Sequence, residues 1–128
     1  MEPDRGLALL HFFERAPQML PLYEHLEAQL LRRFPGTAVQ IQKTQIKFSN
    51  RYAFAFASLP LRKDRRLPDP CLLVTFGLGY RLEHPRIVYA VEPYPNRWTH
   101  HVPVTRSDEI NDELMGWIAE AYAFSLAK

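Results

Sequence analysis

The chain has one cysteine, Cys71, in 128 residues, so it can form no intrachain disulfide. That agrees with a reducing compartment, and the cytoplasm is the expected location. No apolar run approaches the roughly 20 residues that a membrane-spanning helix needs, so no membrane association is expected. The start, with Glu2 and Asp4, lacks the basic, apolar and small-residue regions of a secretory signal. No H-x-H, HExxH or paired-cysteine spacing occurs, so neither a metal nor a cofactor is expected. Gly77-Leu78-Gly79 is followed by Tyr80-Arg81 and not by a helix, which excludes a dinucleotide or phosphate loop and leaves turn glycines. Cys71 follows Pro70 at the start of an apolar run, the setting of a buried, inert thiol rather than a nucleophile.

What is present is the composition of a soluble globular domain, 47% apolar and 23% charged, long enough to bury a core without staples. We expect one domain over 1–128, with 1–12 as a loosely packed N-terminal extension. The net charge of +2 hides a segregation. Residues 1–31 carry two cations against five acids, residues 32–106 thirteen against four, and residues 107–128 one against five. Acidic ends around a basic middle imply either an anionic partner for the middle or mutual docking of the parts.

Met19, Leu22, Tyr23, Leu26 and Leu30 recur at helical spacing, which predicts a helix over 17–33 ended by Pro35-Gly36. The segment 4–14 has no clean period and is at most a short helix. Val39 and Ile41 then alternate with Gln40 and Gln42, the pattern of a strand. Ile46 and Phe48 continue it with opposite parity, so the chain bulges or turns around Lys43 to Gln45. Residues 52–58 place Tyr52, Phe54 and Phe56 on one face and alanines on the other, after a turn at Ser49-Asn50-Arg51. Residues 62–70 read as an exposed, mobile, basic loop bounded by prolines. Cys71 to Leu78 has the continuous apolarity of a central strand, and 87–91 and 98–104 form a hairpin across Pro93-Tyr94-Pro95-Asn96. The last segment predicts a helix over 108–126 with Ser107 as its N-cap. The order predicts an α+β fold: a largely antiparallel sheet of about five strands, with the N-terminal helix (17–33) and the C-terminal helix (108–126) packed on it.

The densest chemistry lies between Pro93 and Val102, which combines Tyr94, Arg97, Trp98, Thr99, His100 and His101. Strand parity puts Trp98, His100 and Val102 on one face and Thr99 and His101 on the other. Adjacent histidines pointing apart cannot chelate one metal. His100 is either a hydrogen-bonded core imidazole or a ligand-binding or catalytic group. His101 with Thr99 is either a solvated face or part of a site. Neither has an acid at a spacing that names a base and its orienting partner, so catalytic residues stay unassigned. Arg97 either clamps an anion, stacks on an aromatic or caps a turn. Lys43, Lys47, Arg51, Arg62, Lys63, Arg65, Arg66, Arg81 and Arg86 can form a basic surface, with Tyr52 and Trp98 as stacking platforms for single-stranded nucleic acid. That signal is diffuse: the pI of about 8.8 falls short of strongly basic domains and no nucleic-acid-binding motif appears. Asp112, Glu113 and Glu120 read as solvated charge or as a docking face for a basic protein partner.

Leu22-Tyr23-Glu24, Gln42-Lys43-Thr44-Gln45-Ile46 with Arg51-Tyr52-Ala53-Phe54, Arg97-Trp98-Thr99-His100-His101-Val102, and Asp112-Glu113-Leu114 with Ala121-Tyr122 resemble family 5655 of the bacterial domains of unknown function. The resemblance runs from about residue 13 to 125, and the Trp-Thr-His-His-Val segment is its most specific part. It implies a bacterial, cytoplasmic α+β domain with no defined reaction, and it singles out Lys43, Arg51, Tyr52, Arg97, Thr99 and His100. The basic loop 62–70 lies outside that pattern. The expected function is a noncatalytic binding or interaction module. Its pocket of Lys43, Arg51, Tyr52, Arg97, Trp98, Thr99, His100 and His101 would take an anionic or planar ligand. The alternatives are a small enzyme using His100 or His101 as acid or base, and a protein-protein docking domain.

Overall fold

The computed structural model describes residues 5–127. In chain order the elements are α1 (Arg5–Phe12), α2 (Leu20–Arg33), β1 (Ala38–Ile41), β2 (Ile46–Ser49), β3 (Ala53–Ser58), β4 (Leu72–Leu78), β5 (Tyr89–Tyr94), β6 (Arg97–Val104) and α3 (Asp112–Leu126). The fold is α+β. Six strands form one sheet in the order β1-β2-β3-β4-β6-β5, and all neighbours are antiparallel.

The sheet has one strand more than expected, because the parity change near Lys43 is a reversal of direction and not a bulge. The Gln42 amide donates to the Gln45 carbonyl at 2.8 Å, and Ile41 pairs with Ile46. The helix over 17–33 holds: a 3-10 turn at Pro17–Met19 leads straight into α2. Gly36, at φ +86°, supplies the left-handed residue that ends the segment. The last helix starts later than expected and its cap is Asn111, not Ser107. Asn111 Oδ1 accepts the Leu114 amide at 3.1 Å. Ser107 opens a separate 3-10 turn, and Ile110 (φ −86°, ψ 75°) leaves helical geometry before α3 begins.

Within α1, Leu9 is buried while Leu7 and Leu10 are exposed, which accounts for its poor periodicity. The helices share one face of the sheet with the core. Tyr23 stacks on Phe48 at 6.2 Å, Trp117 on Phe76 at 5.9 Å, and Tyr122 meets Phe54 edge-on at 5.0 Å. Ala55 pairs with Phe48 on one side and Phe76 on the other, so a small side chain sits between two large ones and lets the rings close on the helices. The alanine face of β3 is therefore the helix side. Phe54 departs from the expected alternation: the register slips between Phe48 and Ser49, and Phe54 turns in against Phe34 and Tyr122. Phe56 stays on the opposite face. Among the described residues no helix lies on that face.

Candidate functional site

The expected site residues do not share one place. Lys43 lies in the β1–β2 turn, where it lines a hollow with Ala8, His11 and Arg15. Arg51 and Tyr52 lie in the β2–β3 turn, at the other end of the sheet, with the Arg51 guanidinium 5.8 Å from the Tyr52 ring centre. Arg97, Trp98 and Thr99 start β6 at that same end, because Leu78 pairs with Trp98 and Gly77 with Thr99. Lys43 is thus not part of a common pocket. Pairing neighbouring strands antiparallel sends the two turns that flank β2 to opposite ends.

Arg97, Trp98 and Thr99 line a cleft of about 520 Å³, walled by Phe54, Phe56, Tyr94 and Phe124 and floored at Gly77. Gly77 has no side chain there, and the nearest neighbour of an added Cβ would be the Trp98 carbonyl at 3.9 Å. Arg97 is the one charged residue in the lining, and its guanidinium sits 5.9 Å from the Phe124 ring centre. Arg81 covers Trp98 at 5.9 Å. The β5–β6 turn places Arg97. Pro95 fixes its first central residue, Asn96 adopts φ +62° as its second, and the Asn96 amide donates to Glu92 Oε2 at 3.0 Å.

Parity holds for the histidines. His100 is wholly buried on the helix side, stacked on Phe76 at 5.1 Å. Its Nε2 accepts the Leu82 amide at 2.9 Å, which puts the proton of a neutral ring on Nδ1. The Phe76 and Trp98 carbonyls lie close enough to favour protonation, yet neither gives Nδ1 a hydrogen bond of proper geometry. Burial outweighs those carbonyls and holds the pKa below the ordinary histidine value. His100 lines no described cavity and its acceptor nitrogen is occupied, which suits a core residue better than a proton shuttle. Burial likewise lowers His101, helped by the nearby His100. Cys71 is buried, its thiol pushed up to about 11 by burial and then by Asp69.

His101 belongs to a feature that no single segment revealed. Strand registers align Gln40, Lys47, Phe56, Thr75, His101 and Tyr89 as successive cross-strand partners. This row crosses all six strands on the face without helices, about 24 Å at the spacing of strands in a sheet. Thr75 Oγ1 lies 2.9 Å from His101 Nδ1. The Tyr89 hydroxyl donates to Asp64, and the Arg66 guanidinium lies 5.4 Å from the Tyr89 ring centre. The loop 60–68 is therefore tied down over the sheet by Asp64, which also accepts the Arg66 amide at 2.9 Å. Beneath it is a second hollow of about 430 Å³, lined by Leu61, Lys63, Leu73, Tyr89, Val91 and His101. The bonded Thr75–His101 pair stands between the two cavities, since Thr75 lines one and His101 the other.

The charge segregation resolves into two sides. Arg33 pairs with Asp112, and Arg86 and His84 pair with Glu113, so part of the basic middle docks on the acidic last helix. Glu120 accepts the Tyr80 hydroxyl. Arg86 is thereby removed from the expected basic surface, and Arg81 is paired with Glu83 at 3.8 Å. Among the described residues, Arg15, Arg32, Lys43, Lys47, Arg51, Arg62, Lys63, Arg65 and Arg97 have no carboxylate partner. The same residues include no group of three His, Cys, Asp or Glu placed to hold a metal ion, and no helix long and apolar enough to cross a membrane.

Fold and site together define an α+β domain with one helix-free sheet face and an aromatic cleft that carries a single arginine. The chain belongs to the domain-of-unknown-function family DUF5655, whose family model matches residues 11–125. No curated protein and no solved structure matches the chain.

Proposed function

We propose that this domain is a noncatalytic binding module that takes a planar, anionic ligand in the cleft at the β5–β6 turn. One observation carries the reading: the cleft is lined by aromatic side chains and by one charge, the arginine, with no acid in its lining. Aromatic walls select a flat apolar face, and a guanidinium held over Phe124 offers a planar fork of donors to a phosphate or carboxylate. A catalytic reading through His100 has no support in its position, because the imidazole is sealed in the core.

A ligand that binds only the folded state raises the melting temperature. Screening nucleotides, sugar phosphates and aromatic carboxylates by thermal shift is expected to give stabilising compounds that combine a ring with an anion. Arg97→Ala is expected to abolish the shift with little change in the unliganded Tm. A screen in which no such compound stabilises the protein, or in which Arg97→Ala responds like the parent, would overturn the reading.

A further inference from the structure

We infer that the ligand of this module is a single-stranded nucleic acid laid across the helix-free face of the sheet, along the row from Lys47 to Tyr89. The inference rests on the reading of the cleft above and extends it to a polymer.

The row supplies what unpaired bases need. Phe56 and Tyr89 are aromatic, His101 is a flat imidazole between them in register, and every base has a π-face to stack on such groups. Tyr89 and His101 are held in place: the first by Asp64 and the Arg66 guanidinium, the second by Thr75. Braced rings lose little freedom when a base stacks on them.

Charge suits the same face. The described arginines that meet carboxylates do so largely beside the helices, whereas Lys47 in the row, Arg62, Lys63 and Arg65 in the loop over its Tyr89 end, and Arg97 in the cleft that Phe56 and Thr75 also line, have no carboxylate partner. Asp64, the acid in that loop, is occupied by Tyr89 and by the Arg66 amide. A polyanion is the complement of such a rim.

The shape argues for a strand rather than a mononucleotide or a duplex. Two hollows, of about 520 and 430 Å³, lie on either side of the Thr75–His101 pair, so one flat group fills only half of the available surface. Paired bases would leave the aromatic row unused, because their faces are already stacked.

Fluorescence anisotropy with labelled oligouridylate and oligothymidylate of about ten nucleotides tests this, with a duplex of equal length and the mononucleotides as comparisons. We expect the single strands to bind tighter than either, and the RNA and DNA arms to show whether the 2′-hydroxyl matters. Affinity is expected to fall steeply between about 50 and 200 mM salt, with Lys63→Gln reducing the salt slope by about one. Tyr89→Ala is expected to weaken binding roughly 5- to 100-fold, the effect of losing one base stack. Tyr89→Phe, which keeps the ring and loses Asp64, is expected to retain most of the affinity. Melting curves of each variant separate lost binding from lost folding.

If mononucleotides stabilise the protein through Arg97 but single strands bind no tighter than mononucleotides, or if Tyr89→Ala binds them like the parent, the row is not a nucleic-acid surface while the cleft reading stands. Duplex binding equal to single-strand binding overturns the inference as well. If neither mononucleotides nor oligonucleotides bind, the inference fails whatever else the cleft takes, and the thermal screen decides the cleft.

Discussion

Arg86 shows how much one side chain holds together. Its guanidinium donates to Asn111 Oδ1 and Glu113 Oε1, each at 3.0 Å, and to the Glu109 carbonyl at 2.6 Å, while lying 5.8 Å from the Trp117 ring centre. It ties the chain between β4 and β5 to the start of α3. Truncating it leaves these acceptors without their cation, so Arg86→Ala is expected to cost about 2–3 kcal/mol in denaturant unfolding. Arg86→Lys should recover only part of that, because an ammonium cannot make the same fork. The histidines set a pH dependence. Burial lowers the folded pKa of His100 and of His101, so the unfolded chain binds more protons below the ordinary histidine pKa of about 6.5. Their contribution is present above about pH 6.5 and is lost as pH falls toward the folded values. Unfolding midpoints measured from about pH 7.5 down to about pH 5 are expected to stay level and then drop. At Gly79, an added Cβ would come within 2.9 Å of the Phe124 ring. Gly79→Ala is therefore expected to displace a cleft wall, costing about 1–3 kcal/mol of stability and weakening the ligand response.

At the scale of elements, local pattern was a good guide to existence and a poorer one to ends. The Met19–Leu30 stripe marked α2, and the parity of Trp98 to Val102 assigned each histidine to its face. The sequence misplaces the start of α3 because Ser107 and Asn111 are both good caps, and only the non-helical turn of Ile110 decides between them. The sixth strand was hidden because a parity flip is the same signal for a bulge and for a tight turn. The turn that positions Arg97 yields a prediction of its own. Asn96 tolerates φ +62°, which a β-branched residue does not, so Asn96→Val is expected to lower stability by roughly 1–2 kcal/mol and Asn96→Gly to be nearly neutral. Urea unfolding of the two variants checks this.

For the whole molecule, the question is which expected residues meet. Arg97, Trp98 and Thr99 were legible as a unit because they are contiguous, and the structure keeps them in one cleft with Tyr94. Family likeness groups Lys43 with them, and the antiparallel meander separates it. The row that joins Lys47, Phe56, Thr75, His101 and Tyr89 could not be read at all. Parity says which face each residue takes, but only register says which residues are partners, and register depends on strand order. The basic surface was likewise legible as composition but not as location, since Arg86 is spent on the acidic last helix and Arg81 pairs with Glu83.

The strand order carries a consequence of its own. β1 to β4 form a consecutive meander, while β5 and β6 form a hairpin with a two-residue turn, and β6 must insert its edge beside β4 with residues 79–88 closing the loop. Local hairpins form before long-range pairing, because loop closure must be met first. The cleft draws one wall from the meander and the other from the hairpin, so it exists only once the two have docked, and any undocking erases it while leaving both parts paired within themselves. Occupying the cleft therefore clamps the β4–β6 seam: amide exchange across Leu72–Leu78 and Arg97–Val104 is expected to slow on ligand addition, while the β1–β2 amides keep their rates.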